Sequence, residues 1–131
     1  MKKMICIFFV VAVLCSMVGC RPIHHPENAT GKVIYDCNGI YFEEELTPEE
    51  VSAVLGILNG KVAASVLEGS PSCGFDRDVA IIIDGTRYAL ACDKCGTLNV
   101  WGTMRYIHIS DGERAVLEEI FTSRGGKFPC I

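Results

Sequence analysis

The stretch DVAIIIDGTRYALA, residues 78–91, decides the fold of this chain. The apolar run after Asp78 is typical of a buried strand. Asp84-Gly85 is a dipeptide that a two-residue hairpin turn favours, because both residues of such a turn need a positive φ. Residues 86–91 then return as a second strand. The stretch therefore predicts an antiparallel sheet that contains this hairpin.

Further strands are predicted on both sides of the hairpin. Residues 32–41 are rich in β-branched and aromatic side chains, and a bulge or bend is expected at Asn38-Gly39. Residues 61–67 indicate another strand, although their alanines suit a helix equally well. Residues 97–101 and 104–109 predict one long final strand that bends at Gly102.

Two helices are marked by capping boxes, in which Ser or Thr is followed three residues later by Glu. Thr47 and Glu50 open the first helix, with Pro48 at its first position, and Ser110 and Glu113 open the second. Apolar residues at helical spacing define one stripe on each helix. The stripes consist of Val51, Val54, Leu55 and Leu58 in the first helix and of Leu117, Ile120 and Phe121 in the second.

The resulting order, β-α-β-β-β-β-α, predicts an α+β fold with two helices on one face of an antiparallel sheet of about five strands. Each helix has a single apolar stripe, so both helices are expected on the same face. The other face then stays partly open to water. We expect residues 1–19 to be a removed leader, residues 20–31 a tether and residues 32–131 the single folded domain.

The open face supplies the candidate binding residues. Side chains alternate along the last strand, so if Ile107 and Ile109 face the helices, their neighbours face water. The candidates on this face are Tyr106, His108 and Trp101, joined by Tyr35 or Tyr41. The alternative for each is structural, with His108 as a cross-strand residue without a ligand and Trp101 at the rim of the core.

The chain begins MKKMICIFFVVAVLCSMVGC, in which two lysines precede an apolar run. The run has about 15 residues, which is short of the roughly 20 that span a bilayer. This layout is typical of a secretory signal. Its last four residues, Met17-Val18-Gly19-Cys20, resemble the lipobox of bacterial lipoproteins.

The resemblance implies that the chain is cut before Cys20 and that Cys20 is diacylated. Two acyl chains give stable anchoring, here to the extracytoplasmic side of a cell membrane. The alternatives are an uncleaved anchor and plain secretion. The prolines that follow Cys20 predict a short extended spacer, in which His24 and His25 are polar filler and not metal ligands.

The net charge and the catalytic motifs that are missing limit the classes of function that the sequence allows. Removal of Lys2 and Lys3 with the leader leaves ten basic residues against 16 acidic ones, a formal charge of about −6. An acidic domain lacks the basic footprint of nucleic-acid binding, which excludes that function. The expected partner, besides the membrane, is a protein or small molecule. No nucleophile-elbow, P-loop, dinucleotide-binding or HExxH pattern occurs, so we expect a binding protein and not an enzyme.

Eight cysteines are present, of which Cys6 and Cys15 leave with the leader and Cys20 takes the lipid. The other five are Cys37, Cys73, Cys92, Cys95 and Cys130. Outside the cytoplasm, disulfides are the default interpretation. The predicted topology brings the last four to one edge of the sheet and leaves Cys37 unpaired inside the first strand.

Two chemistries suit four converging cysteines. In the first, Cys73 and Cys130 each form a disulfide with one of Cys92 and Cys95, in either combination. In the second, all four bind one zinc ion, because Cys92-Asp-Lys-Cys95-Gly96 is similar to a zinc knuckle. The CxxC motif is also typical of proteins that catalyse thiol–disulfide exchange. That chemistry needs its first cysteine at a helix N-terminus, whereas Cys92 ends a strand. A thiol–disulfide or zinc-handling envelope protein is thus the alternative function.

Overall fold

A computed structural model describes residues 21–65 and 73–130. The expected leader, Cys20 and the end of the strand expected at 61–67 lie outside the described residues. The described part is α+β, as predicted, with helices α1 (Pro48–Leu58) and α2 (Asp111–Thr122). Its strands are β1 (Gly31–Cys37), β2 (Ile40–Glu45), β3 (Ala64–Ser65), β4 (Val79–Ile83), β5 (Thr86–Leu90), β6 (Thr97–Val100) and β7 (Arg105–His108).

The seven strands form one antiparallel sheet in the order β2-β1-β4-β5-β6-β7-β3. The hairpin predicted at Asp84-Gly85 joins β4 to β5, and both residues have a positive φ. Because β4 lies near the middle of the sheet, all five of its residues are buried. This hairpin is therefore the centre of the sheet, as its apolar run indicated.

The sheet has two more strands than expected, because tight turns form at the two places where the sequence predicts bends. Asn38 and Gly39 have φ values of 53° and 76°, which a tight turn requires, and they join β1 to β2. Residues 101–104 form a second turn, in which Gly102 has a φ of 81°. Strand β7 consequently runs back along β6 instead of continuing it.

Both helices begin where the capping boxes placed them. In α1, the Thr47 hydroxyl accepts from the Glu50 amide, and the Glu50 carboxylate accepts from the Thr47 amide. Ser110 and Glu113 make the same pair of hydrogen bonds at the start of α2. These caps satisfy amides that the first turn leaves without partners.

Both helices pack on one face of the sheet, as predicted. Their apolar stripes share one buried core with alternate sheet residues. The sheet residues in this core include Val33, Tyr35, Val79, Ile81, Ile83, Leu90, Leu98 and Ile107. A smaller cluster of Ile34, Ala80, Ile82 and Ala89 occupies the other face. Phe75, in the segment before β4, packs against this second cluster, so the face away from the helices is only partly open.

The N-terminal segment differs from the extended spacer expected at residues 20–31. The amide of Ile23 donates to the carbonyl oxygen of Lys61 at 2.8 Å, and the amide of Gly60 donates to Ile23 at 2.9 Å. His25 is buried, and its Nε2 lies 2.6 Å from the hydroxyl of Tyr88. The segment is attached to the domain from Ile23 onward, because these backbone and side-chain groups find partners there.

In the described part of the chain, neither helix is long and apolar enough to cross a membrane.

Candidate functional site

The five cysteines of the described residues gather at one end of the sheet, called here the cysteine edge, which consists of Cys37, Cys73, Cys92, Cys95 and Cys130. Cys73 and Cys95 form a disulfide, with a Cα–Cα distance of 6.1 Å. That distance lies within the usual range for disulfides. The Cys73–Cys95 pairing belongs to one of the two disulfide combinations that the sequence left open. The bond ties the segment before β4 to the start of β6.

Cys92 and Cys130 form a second pair, although they are thiols in this structure. The amide of Cys130 donates to the carbonyl oxygen of Cys92 at 3.0 Å, so the two cysteines lie side by side. Both residues are buried. Their proximity lowers the pKa of Cys92 and raises that of Cys130, because the neutral thiol of Cys130 can donate to a thiolate at Cys92.

Cys37 lies beside this pair without belonging to it. It ends β1 and is half-buried. Its Sγ donates to the backbone carbonyl oxygen of Cys130 at 3.1 Å. Cys37 is a free thiol here, in the place where the sequence left one cysteine without a partner.

Arg114, which sequence reasoning missed, organises the cysteine edge. Although charged, it is 5% exposed. Its guanidinium donates to the carbonyl oxygens of Cys95 and of Ala91, the latter at 2.8 Å, and pairs with Glu118 at 2.8 Å. It also lies over the ring of Phe128, 5.5 Å from the ring centre. A charged residue three positions before Leu117, on the apolar stripe of α2, was the signal that could have revealed it.

The structure groups a different set of potential zinc ligands from the four cysteines that the sequence predicts. In the part of the chain that the structure describes, one group brings three potential metal ligands within 4.8 Å, and it consists of Cys73, Asp93 and Cys95. Cys92 and Cys130 are outside this group. The glycine of the zinc-like motif also has another explanation, because a Cβ on Gly96 would lie 2.6 Å from the carbonyl oxygen of Ile109.

A second candidate region lies on the last hairpin. The β6–β7 surface consists of Trp101, Met104, Tyr106 and His108. Met104 is 69% exposed and Trp101 is 39% exposed, and His108 is also exposed. Tyr106 is half-buried, because its ring packs against Phe75 at 5.6 Å between ring centres. Met104 was not among the sequence candidates, and it is the most exposed of these side chains.

The two tyrosines expected near this face are placed differently. Tyr35 is fully buried on the helix face, where its ring stacks on Phe42 and its hydroxyl donates to the carbonyl oxygen of Lys127 at 2.7 Å. It is therefore excluded from the open face. Tyr41 is 63% exposed, but it belongs to β2, at the sheet edge opposite β3.

His25 and Tyr88 form a buried polar pair beneath the N-terminal segment. Burial lowers the pKa of His25, although the nearby Asp84 carboxylate acts in the opposite direction. Burial also raises the pKa of Tyr88 to about 12. Both side chains are thus neutral at pH 7. The polar-filler interpretation of His25 is wrong, because the imidazole holds the segment to the sheet.

Two open grooves flank the start of α1, the first of about 300 Å³. Glu27 and Pro48 line both. The capping-box side chains already occupy the first-turn amides of α1, and the grooves carry carboxylates of Glu27 and Glu45. This lining does not suit an anion.

No protein-family model, no curated protein and no solved structure matches this chain.

Proposed function

We propose that this chain is a membrane-anchored extracytoplasmic lipoprotein whose domain binds a protein through the β6–β7 surface. The observation that carries the binding proposal is the exposure of Met104 and Trp101 in the turn of one hairpin. Exposed apolar side chains at the end of a hairpin suit a protein surface better than a small molecule. The Met17-Val18-Gly19-Cys20 motif supports the anchor.

The disulfide supports the binding surface indirectly. Cys73 is two residues before Phe75, and the Phe75 ring packs against Tyr106. Holding Cys73 to Cys95 therefore limits the positions available to Phe75. A surface with a fixed aromatic ring loses less conformational entropy when a partner binds.

A photo-reactive amino acid at Met104 tests the binding surface in the native host. Val116, an exposed apolar residue on α2, is the matched control position. We expect a discrete cross-linked protein from position 104, absent at position 116 and lost when Trp101→Ala is added. Equal products from both positions would contradict the proposed surface.

The anchor is expected to hold the domain close to the bilayer. Ile23 is already fixed to Lys61, so only two residues, Arg21 and Pro22, separate it from Cys20, and the chain between them spans about 10 Å at most. The sheet edge near Lys61 would then face the membrane. A long flexible tether is incompatible with this attachment.

Single-tryptophan variants measure this position, because Trp101 is the one natural tryptophan. In a Trp101→Phe background, we compare Val62→Trp, near β3, with Tyr41→Trp, on β2. These strands form opposite edges, separated by six spacings of about 4.8 Å. In vesicles with headgroup quenchers, the lipidated protein should show quenching of the tryptophan at 62 and little at 41. Equal quenching would refute the short attachment.

The alternative function is thiol–disulfide or zinc handling. The ligand atoms of Cys73, Asp93 and Cys95 lie within 4.8 Å of one another, but zinc would bind there only after reduction of the Cys73–Cys95 disulfide. Against exchange at the CxxC motif, Cys95 is bonded to Cys73 and Cys92 is buried beside Cys130. Tight retention of one zinc ion by the purified protein would favour this alternative over the binding proposal.

A further inference from the structure

The two free thiols at the centre of the cysteine edge are in position for a covalent bond. The amide of Cys130 donates to the carbonyl oxygen of Cys92 at 3.0 Å, and both side chains are buried. Neither sulfur is needed by the Cys73–Cys95 bond. A buried thiol pair in an oxidising compartment is normally a disulfide.

We propose that Cys92 and Cys130 form a second disulfide in the mature protein and that Cys37 remains the reduced cysteine. The proposal rests on the extracytoplasmic location proposed above. It chooses one of the two combinations that the sequence left open. It also closes the C-terminal segment covalently onto the sheet.

Cys37 is the competing partner for Cys130. Its Sγ donates to the backbone carbonyl oxygen of Cys130 at 3.1 Å, whereas the backbone of Cys92 is itself paired with the amide of Cys130 at 3.0 Å. Cys92 and Cys130 are also both buried, while Cys37 is only half-buried. The geometry therefore favours Cys92.

The oxidation needs a disulfide-donating protein as oxidant. The Cys92 thiolate attacks the oxidant's disulfide and forms a mixed disulfide, which releases one thiolate of the oxidant. The Cys130 thiolate then attacks the Cys92 sulfur, which forms the Cys92–Cys130 bond and releases the second thiolate. Two protons are lost, and the oxidant gains two electrons. Since both sulfurs are buried after folding, the exchange takes place before the C-terminal segment packs.

The closed bond would secure a segment that already contributes to the core. The carbonyl oxygen of Lys127 accepts from the Tyr35 hydroxyl, and Phe128 packs edge-on against Phe121 at 5.5 Å between ring centres. Cys130 follows directly after these contacts. Without the bond, only non-covalent contacts hold the C-terminus over Tyr35.

Tryptic mapping without reductant tests the pairing on the full lipidated chain. Cleavage at Lys94 separates Cys92 from Cys95, and cleavage at Lys127 releases Cys130 in a short peptide. After denaturation and alkylation, we expect peptide 88–94 linked to 128–131, peptide 62–77 linked to 95–105, and alkylation of Cys37 alone. Peptide 33–61 linked to 128–131 would overturn the pairing.

The same peptide map distinguishes an error in the proposed second disulfide from an error in the proposed extracytoplasmic location. Free Cys92 and Cys130 beside an intact Cys73–Cys95 bond would refute this proposal alone. Five reduced cysteines would also refute the proposed location.

Variants supply a second measurement. Cys37→Ser should leave both linked peptides unchanged. Cys92→Ser and Cys130→Ser should each free the other cysteine and lower the Tm by roughly 10 °C, because the cross-link no longer restricts the unfolded chain. If reducing agent lowers the Tm of Cys92→Ser and of wild type by the same amount, the second bond is absent.

Discussion

The two ends of the β6–β7 hairpin differ in the contacts that hold them to the rest of the domain. At the cysteine edge, a disulfide, a buried thiol pair and the guanidinium of Arg114 join α2, the C-terminal segment and the sheet. At the other end, Trp101 and Met104 are exposed on a short turn. Hydrogen bonds hold that turn locally, such as the one from Thr103 to Val100, and the Trp101 amide donates to Arg87 of the neighbouring strand. The side-chain contacts that join different segments are concentrated at the cysteine edge.

Replacing Arg114 should break the cysteine edge most severely. Arg114→Leu leaves the carbonyl oxygens of Ala91 and Cys95 without their donor and Glu118 without its ion pair. We expect a loss of about 3 kcal/mol in the free energy of unfolding, measured by urea denaturation. Arg105→Leu, at the exposed end, is the matched control and should change it by less than about 0.5 kcal/mol. Equal effects would contradict the contrast between the ends.

Removing the observed disulfide should have the next effect in order, of similar size. Cys73→Ala with Cys95→Ala should cost about 2–4 kcal/mol, because the bond closes a loop with a sequence separation of 22 residues. It should also loosen Phe75 against Tyr106 and so weaken cross-linking from Met104. Unchanged stability in denaturant would show that the bond does not brace the domain.

The His25–Tyr88 pair should make stability depend on pH. Because burial lowers the pKa of His25 below its ordinary value of 6.5, the unfolded chain binds the proton more readily. The contribution of His25 to the free energy of unfolding is therefore fully present above its ordinary pKa of 6.5 and decreases as the pH falls below that value. We expect a loss of about 1 kcal/mol by pH 5 that His25→Gln lacks.

Carboxylates make stability depend on pH in a lower range than His25 does. Glu50 is held by Arg124, which lowers its pKa below its ordinary value of 4.5, so its contribution persists above that pH and is lost below it. Parallel pH curves for wild type and His25→Gln between pH 5 and 7.5 would contradict the role of His25.

Changes at the exposed end should have the smallest effect on stability. Trp101→Ala with Met104→Ala removes side chains that protrude into water, so the free energy of unfolding should change by less than about 0.5 kcal/mol. Partner binding should nevertheless be lost. Retained binding in this variant, assayed with the cross-linked protein, would place the interaction surface elsewhere.

The fold was predictable where the signals are local. The capping boxes at Thr47 and Ser110 and the turn at Asp84-Gly85 depend on neighbouring residues, and each was assigned correctly from sequence. Asn38-Gly39 carries an equally strong turn signal. The sequence prediction there was a bulge or bend, and the strand after it, β2, carries three consecutive glutamates and one buried residue, Phe42, so it lacks an apolar alternation.

The cysteine edge was predictable in outline, for partly wrong reasons. One long final strand was expected to carry the chain away from Cys95, and α2 was expected to return it. Instead β7 returns to Gly96, α2 leaves again, and the segment after Gly126 brings Cys130 back to Cys92. Two errors in topology thus cancelled. The position of Arg114 on the apolar stripe of α2 was a local signal, but its partners, like those of His25, lie on distant segments, which no local pattern contains.

The intact mass of the protein extracted from its native membrane tests the central claim most directly, namely that the domain acts at a membrane surface outside the cytoplasm. The expected mass is that of a chain beginning at Cys20, with a diacylglyceryl group on its sulfur. Cys20→Ala should lack this group and leave the membrane fraction. A chain that retains residues 1–19, or an unmodified Cys20, would contradict the claim.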